Sequence, residues 1–245
     1  MWPDYEFVAH MGSSVESSGN GTITATGSPP SATGKIGDST DFLNTAAGTS
    51  VDYMDTSYDV IPTGSDAAFT FQTWMKYTAT AYGGIWDKSS GVNTQRFFVL
   101  TNYDGASNVP GTIGFFTRDS SVGTKYVSGS PSLNNGSWQS VAFTRTGSTS
   151  VIYVNGSAAS MAGTTVGGSV HKSSEKHKIG GLKGNTLAYD GGLDEMRVRQ
   201  SVLSANWITT EYNNQNANGS FWEATDAGGG GGAAQAARRG AVMMM

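Results

Sequence analysis

Short runs of aromatic and β-branched residues, separated by clusters of Gly, Ser and Asn, recur along most of this 245-residue chain. The clearest run is Ala68–Tyr77 (AFTFQTWMKY), in which the residue type alternates with a period of two. One face would carry Phe69, Phe71, Thr73, Met75 and Tyr77, and the other Gln72, Trp74 and Lys76. Such runs, bounded by turn residues, predict an all-β fold of two packed antiparallel sheets.

Further strands are predicted along the rest of the chain. They cover residues 83–88 (GGIWDK), Arg96–Tyr103, Gly111–Asp119, Ser137–Gly147, Thr149–Ser157, 176–182 (KHKIGGL) and 191–200 (GGLDEMRVRQ). Asn155 and Gly156 predict a tight hairpin turn, because both residues tolerate a positive φ. One segment favours a helix. Ser204 is the expected N-cap, apolar residues follow at helical spacing, and we expect one or two turns against a sheet edge.

Charge and composition exclude several classes of function. The net charge is -4 and the chain has no basic stripe, which argues against nucleic acid as a partner. No stretch approaches the length of a membrane span. The chain contains no Cys, so cysteine usage does not indicate whether the protein acts in an oxidising or a reducing compartment. The first residues (MWPDYEFVAHMGSS) lack the features of a signal peptide, and we expect export by another route if the protein acts outside a cell.

The end of the chain differs in composition. We expect a sandwich over residues 1–225 and a Gly/Ala-rich tail over residues 226–245 (DAGGGGGAAQAARRGAVMMM). The tail is either a flexible end or an arm that packs against a neighbouring subunit. In the second case, the contacts would come from Arg238, Arg239, Val242, Met243, Met244 and Met245.

Five motifs occur in an order that resembles a known family. They are FTFQTWMK, GGIWDK, SWQSVAFTRTGSTSVIYVNG, KIGG and GGLDEMRVRQSVLSANWITTEYNNQ. Together they resemble the bacterial LamG-like modules of the concanavalin A-like lectin/glucanase superfamily, over roughly residues 2–222. ESSGNGTITATG and GKIGDSTDF resemble the opening loop and an early strand of that family. The resemblance implies a jelly-roll β-sandwich with one short C-terminal helix, but a fold of this kind hosts lectins, adhesion modules, hydrolases and structural domains.

Catalysis is not expected. Hydrolases similar to this family carry a Glu-x-Asp-x-x-Glu strand, and that spacing appears nowhere in the chain. Asp194 and Glu195 are adjacent, so on a regular strand their side chains would point to opposite faces and could not act on one substrate. The sequence therefore predicts a protein that is not an enzyme.

A structural Ca²⁺ ion is a weaker expectation, because sandwiches similar to this one often hold Ca²⁺ near a sheet edge. By resemblance the opening loop would contribute a ligand, and Glu16 stands there in place of the usual Asp. Asn20, Asp52 and Asp194 are the other candidate ligands, if the fold brings them together. The alternative is that Asp194 accepts backbone N–H bonds, while Glu16 and Asp52 are solvated.

A glycan-binding site would need exposed aromatic rings beside polar side chains, and loops on a rigid sandwich are where such residues collect. The candidates lie at strand ends or in loops: Tyr82, Trp86, Asn93, Gln95, Asn102, Tyr103, Asp104 and Asn108. Packing inside the fold is an equally open role for Trp86, and it is the expected role for Trp74 and Trp138.

These patterns predict a non-catalytic recognition or adhesion module. Its expected partner is a glycan or polysaccharide surface, and its expected place is extracellular, on a phage virion (as a decoration or fibre protein) or on a bacterial surface. The alternative is a structural protein whose sandwich and tail only pack against neighbouring subunits.

Overall fold

The computed structural model describes most of the chain before residue 218. The described residues are 4–12, 16–44, 52–62, 67–89, 96–103, 107–118, 123–128, 132–162, 176–182 and 187–217. Three glycan candidates (Asn93, Gln95 and Asp104) and the whole of the tail, with its six candidate contact residues, lie outside these ranges.

Sixteen strands and one helix form the described fold. The strands are β1 (Phe7–Ala9), β2 (Ile23–Thr26), β3 (Ser31–Thr33), β4 (Asp38–Phe42), β5 (Tyr53–Thr56), β6 (Phe69–Lys76), β7 (Gly83–Ser89), β8 (Arg96–Tyr103), β9 (Asn108–Arg118), β10 (Gly123–Ser128), β11 (Gln139–Thr146), β12 (Thr149–Val154), β13 (Ser157–Ala158), β14 (Met161–Ala162), β15 (Lys178–Ile179) and β16 (Gly191–Arg199). The helix is α1 (Ala205–Asn216). Each of the strands predicted above is present, and β8 has the predicted bounds.

The strands pair antiparallel in two sheets, which confirms the predicted fold class. The first sheet has the order β13-β12-β11-β6-β16-β4-β3, with β1 paired to β16 as well. The second sheet has the order β14-β10-β9-β8-β7-β15-β5-β2. Neighbours such as β6 and β16 are far apart in the sequence, so the sheets depend on long-range pairing.

Aromatic side chains fill the space between the two sheets. Phe69 and Phe71 of β6 enter this space as the period-two pattern predicted, and both side chains are fully buried. Phe71 makes edge contacts with Trp86 at 5.5 Å and with Phe115 at 5.9 Å between ring centroids. Such edge-to-face pairs add to the stabilisation that comes from burying the rings.

The outer face of the first sheet supports α1. Trp74 of β6 points away from the core, and its ring stacks on Tyr212 at 5.7 Å. Ser204 is the N-cap, and its side chain accepts a hydrogen bond from Trp207 N, as predicted. The helix is 12 residues long and lies on the sheet face, so the expectation of one or two turns at a sheet edge was wrong. No helix among the described residues could span a membrane.

The hairpin between β12 and β13 contributes directly to this support. Asn155 and Gly156 both have a positive φ, of 50° and 76°, which confirms the predicted turn. The carbonyl oxygen of Gly156 accepts a 2.6 Å hydrogen bond from Thr209 Oγ1 of α1. A Cβ atom at Gly156 would lie 3.0 Å from the Cβ of Tyr212.

We therefore expect Gly156→Ala to destabilise the fold more than a positive φ alone would. A positive φ costs a non-glycine residue about 1–2 kcal/mol, and here the added methyl group also presses on α1. Gly19→Ala is the matched control, since Gly19 has a φ of 85° and open space around it. Urea unfolding of both variants measures the difference, and equal losses would contradict the contact between the turn and the helix.

Candidate functional site

A β-bulge places Asp194 and Glu195 on the same face of the first sheet. Asp194 pairs with Trp74 and Arg197 pairs with Gln72, so two residues of β16 lie opposite one residue of β6. Glu195 takes a φ of 48°, which re-aims its side chain to the outer face. The prediction that these carboxylates point to opposite faces was therefore wrong, because the extra residue breaks the period of two.

Glu195 belongs to a charged network between β16 and α1. Its side chain is 2% exposed, and its carboxylate contacts Nδ1 of His10 at 2.5 Å and the guanidinium of Arg197. Arg197 also reaches Glu211 of α1, at 3.4 Å. Tyr5 and Gln72 donate further hydrogen bonds to Glu211, at 3.1 Å and 2.6 Å. These contacts tie the helix to the sheet and to the chain preceding β1.

The electrostatics of Glu195 do not suit the general-acid role in glycoside hydrolysis. Burial alone would raise the pKa of Glu195, but the hydrogen bond with His10 and the charge of Arg197 outweigh burial and lower it. A general acid needs a carboxyl group with a raised pKa. Glu195 is therefore held as a carboxylate between the imidazole of His10 and the guanidinium of Arg197.

Asp194 has a different set of partners. Its Oδ2 accepts hydrogen bonds from the backbone N–H groups of Lys35 (2.8 Å) and Ile36 (2.9 Å), and its Oδ1 accepts one from the N–H of Glu195 (2.8 Å). Burial raises the pKa of Asp194 to about 6, although these three donors act in the opposite direction. Asp194 thus fastens the segment before β4 to β16.

The other expected calcium ligands also form hydrogen bonds with the backbone. Glu16 accepts three such bonds, from Val8, Ser18 and Gly19, at 2.8–3.0 Å. Asp52 accepts one from Ser28, at 3.0 Å. Asn20 donates to the carbonyl oxygen of Glu6.

Within the described ranges, no three His, Asp or Glu side chains gather as a metal site. Asp194 accepts backbone N–H bonds, as in the alternative to a calcium ligand. Glu16 and Asp52 are buried, contrary to that alternative. The Ca²⁺ prediction draws no support from these contacts and stays a prediction.

A second cluster lies on the outer face of the second sheet, outside the core between the sheets. Phe98 and Phe116 stack with their ring centroids 4.6 Å apart. Tyr103 packs on Phe116 at 5.5 Å, and Tyr82 meets Tyr103 edge-on at 5.1 Å. Asn108, which pairs with Tyr103 in the β8–β9 ladder, is exposed. We call these five residues the aromatic platform.

Three of the predicted glycan residues therefore come together in the aromatic platform, namely Tyr82, Tyr103 and Asn108. Phe98 and Phe116 were not predicted. The pair Phe97-Phe98 in β8 contained the signal, because adjacent strand residues face opposite sides and one ring of the pair must leave the core.

Asn102 positions the platform without being part of its surface. It is fully buried and has a φ of 59°. Its amide nitrogen donates to the carbonyl oxygens of Ala79 (2.9 Å) and Ala81 (2.6 Å), in the segment that leads to Tyr82. Its Oδ1 accepts a 2.8 Å bond from the N–H of Gly111. As a direct glycan contact Asn102 was wrongly predicted, because no sugar reaches a fully buried amide.

Trp86 is also not a glycan contact. Its side chain is fully buried between Phe7 and Phe71, at 5.3 and 5.5 Å between ring centroids. Trp86 therefore packs inside the fold, which was the second of the two roles left open by the sequence. Trp74 is likewise buried, whereas Trp138 is only partly buried and lies beside Lys76 on the outer face of the first sheet.

Asp194→Asn is expected to destabilise the protein by about 1–3 kcal/mol, because the new amide nitrogen must face backbone N–H donors. The loss should be the same in Ca²⁺ and in chelator, as measured by urea unfolding. Asp38→Asn makes the same change of charge at an exposed position and should cost less than about 0.5 kcal/mol. A loss that appears only when Ca²⁺ is present would instead make Asp194 a calcium ligand.

The contact between His10 and Glu195 predicts a pH dependence. The hydrogen bond with Glu195 raises the pKa of His10 above 6.5. Stability from this contact is therefore fully present below the unfolded pKa of His10 and is lost as pH rises through the higher folded pKa. The difference in unfolding free energy between the wild type and His10→Gln should be larger at about pH 5.5 than at about pH 9. A difference independent of pH would contradict the contact.

Solved structures with the same fold share little sequence with this chain. The binding domain of Paraclostridial Mosquitocidal Protein 1 is similar with a TM-score of 0.67 and 11% identity, over 86% of this chain and 52% of that one. Domain 4 of AbnA, a GH43 extracellular arabinanase from Geobacillus stearothermophilus, was solved in complex with arabinotriose. It is similar with a TM-score of 0.63 and 16% identity, over 84% of this chain and 98% of that one. The binding domain of Botulinum neurotoxin DC, solved in complex with rat synaptotagmin II, has a TM-score of 0.65 and 9% identity, over 87% of this chain and 52% of that one.

This chain thus spans about half the length of the two toxin domains. No curated protein matches it. The sequence itself carries a family match over residues 48–209, which is more than half of the chain. That match is to Laminin_G_3, described as concanavalin A-like lectin/glucanases superfamily, and it agrees with the two-sheet fold. The chain therefore belongs to the Laminin_G_3 family of the concanavalin A-like lectin/glucanase superfamily.

Proposed function

We propose that this protein is a non-catalytic recognition module that binds glycans through the aromatic platform. The observation that carries the proposal is the pair Tyr82 and Tyr103, two partly exposed rings in contact with each other beside the exposed Asn108. Sugars present apolar ring faces and many hydroxyl groups. A site that combines aromatic faces with an amide satisfies both needs.

The tyrosine hydroxyl groups strengthen this proposal. Within the described part of the chain, neither Tyr82 nor Tyr103 uses its hydroxyl in a hydrogen bond to protein. Both hydroxyls can therefore donate to, or accept from, a bound ligand. The rings are held in place from below, since Tyr103 packs on Phe116 and Asn102 fixes the segment that carries Tyr82. A rigid platform loses little entropy when it binds.

Proteins of the same fold give independent support for recognition. The arabinanase domain was solved with an oligosaccharide, and the neurotoxin domain was solved with a protein receptor. The proposal of a glycan over a protein partner rests on the amphipathic rings and the amide of this chain. The lowered pKa of Glu195, which His10 and Arg197 hold as a carboxylate, speaks against its use as a general acid.

The place of action is a further part of the proposal. A glycan-binding sandwich would act outside the cell, on a virion or on a bacterial surface. The composition of residues 226–245 supports display on a larger assembly, because five consecutive glycines separate the sandwich from an end rich in Ala and Met. Electron microscopy of particles labelled with an antibody to this chain would locate it.

Binding to immobilised oligosaccharides, arabinotriose among them, tests the function. For the oligosaccharide bound most tightly, Tyr82→Ala and Tyr103→Ala should each weaken binding by about 10- to 100-fold, because each removes a stacking face. Tyr82→Phe keeps the ring and should lose less. Calorimetric titration gives the dissociation constants.

Trp207→Ala is the control for the loss of an exposed aromatic ring. Trp207 is 51% exposed and lies on α1, which packs against the other sheet. Its removal should leave glycan affinity unchanged. The proposal fails if folded protein binds no oligosaccharide, or if the two tyrosine variants bind as tightly as the wild type. Either result would favour the alternative of a structural protein that packs against neighbouring subunits.

A further inference from the structure

Three titratable side chains meet at the edge of the core, away from the aromatic platform and from the charged network. Lys88 lies on β7, Asp59 follows β5, and His177 precedes β15, which pairs with both of those strands. The side chains of Lys88 and His177 are 1% and 0% exposed, whereas that of Asp59 is 34% exposed. A lysine is almost never buried to this degree unless it is paired, and Asp59 is the partner of Lys88.

The amine of Lys88 lies in surroundings that disfavour its charge. Nζ contacts Oδ2 of Asp59, and within the described residues this is its one hydrogen-bond partner. An ammonium group has three donors, so among the described residues two of them find no acceptor. Burial accordingly lowers the pKa of Lys88. Loss of the proton turns Nζ into a nucleophile.

His177 holds the same carboxyl group. Its Nε2 accepts a 3.0 Å hydrogen bond from the backbone N–H of Val60 and lies 3.0 Å from Oδ1 of Asp59. Its ring packs on Trp86, with the ring centroids 4.8 Å apart. Burial lowers the pKa of His177 to about 4, so the imidazole is neutral at pH 7 and its Nε2 offers a lone pair to a protonated Oδ1.

We propose that Lys88 and Asp59 condense into an intramolecular amide bond. Transfer of a proton within the ion pair gives a neutral amine and a neutral carboxylic acid whose Oδ1–H donates to Nε2 of His177. This transfer is uphill, because burial acts to raise the pKa of Asp59 but the hydrogen bonds with His177 and Lys88 outweigh it and lower that pKa. Nζ then attacks Cγ, which leaves two protons on nitrogen, a hydroxyl at Oδ1 and a negative charge on Oδ2. One nitrogen proton passes to the Oδ1 hydroxyl, the Cγ–Oδ1 bond breaks, one water molecule leaves, and Oδ2 becomes the carbonyl oxygen of the amide. The product is an Nζ–Cγ amide, and no oxidant or other reactant is needed.

Two features of the site favour this condensation. The amine and the carboxyl group are already in contact, and such placement replaces a bimolecular encounter with an intramolecular step. The amide also removes two charges that are costly to keep at a buried position. The partial exposure of Asp59 provides an exit for the released water.

The intact mass of the purified, folded chain tests the proposal. The wild type should be lighter than its sequence mass by one water, and Lys88→Met should show its full sequence mass. Lys178→Met is the matched control, because Lys178 also pairs with an aspartate, Asp55 at 3.3 Å, on the neighbouring strand. The Lys178→Met variant should still be lighter by one water than the mass calculated from its own sequence. Asp59→Ala alters the more exposed partner and should also restore the full mass.

Peptide mapping must then find one linked fragment that contains both Asp59 and Lys88. Dehydration at an Asp-Gly pair such as Asp190-Gly191 gives the same loss of mass without a link, and it would persist in Lys88→Met. The proposal is overturned if the wild type retains its full sequence mass after prolonged incubation at neutral pH, or if the water is lost elsewhere. In either case Lys88 and Asp59 form an ordinary ion pair.

Discussion

Phe69 and Phe71 project from one side of β6 into the space between the sheets, while Trp74 projects from the other side against α1. This alternation is set by the pleat of a single strand. Because β6 pairs with β11 on one edge and β16 on the other, its register orients most of the first sheet. A slip of one residue would bring Trp74 into the core and expose both phenylalanines.

The fold could be predicted because its signals are local and periodic. The run from Ala68 to Tyr77 contains both faces of β6, and Asn155-Gly156 has the residues that a tight hairpin turn requires. Ser204 was recognisable as an N-cap because its side-chain oxygen precedes apolar residues at helical spacing. The order of the motifs then identified the superfamily, which the family match over residues 48–209 confirms.

The site was harder to predict because it depends on departures from periodicity. Nothing in the order of residues marks the bulge after Asp194, and one extra residue is enough to turn Glu195 to the outer face. Trp86 and Asn102 have the residue types of a sugar site, yet both are fully buried. The types alone cannot separate a residue that touches a ligand from one that holds the platform. Only the three-dimensional contacts of Asn102 make that distinction.

Helix α1 is the last element of the described fold, and its partners are widely separated along the chain before it. Glu211 binds Tyr5, which lies 206 residues earlier, and Thr209 binds the turn at Gly156. Only residues 200–204 separate β16 from α1, so the strand and the helix leave the ribosome almost together during synthesis. The ion pair of Glu195 and Arg197 therefore meets its partner Glu211 soon after the first sheet receives β16. Completion of this sheet and the covering of its outer face thus form nearly a single late step of synthesis.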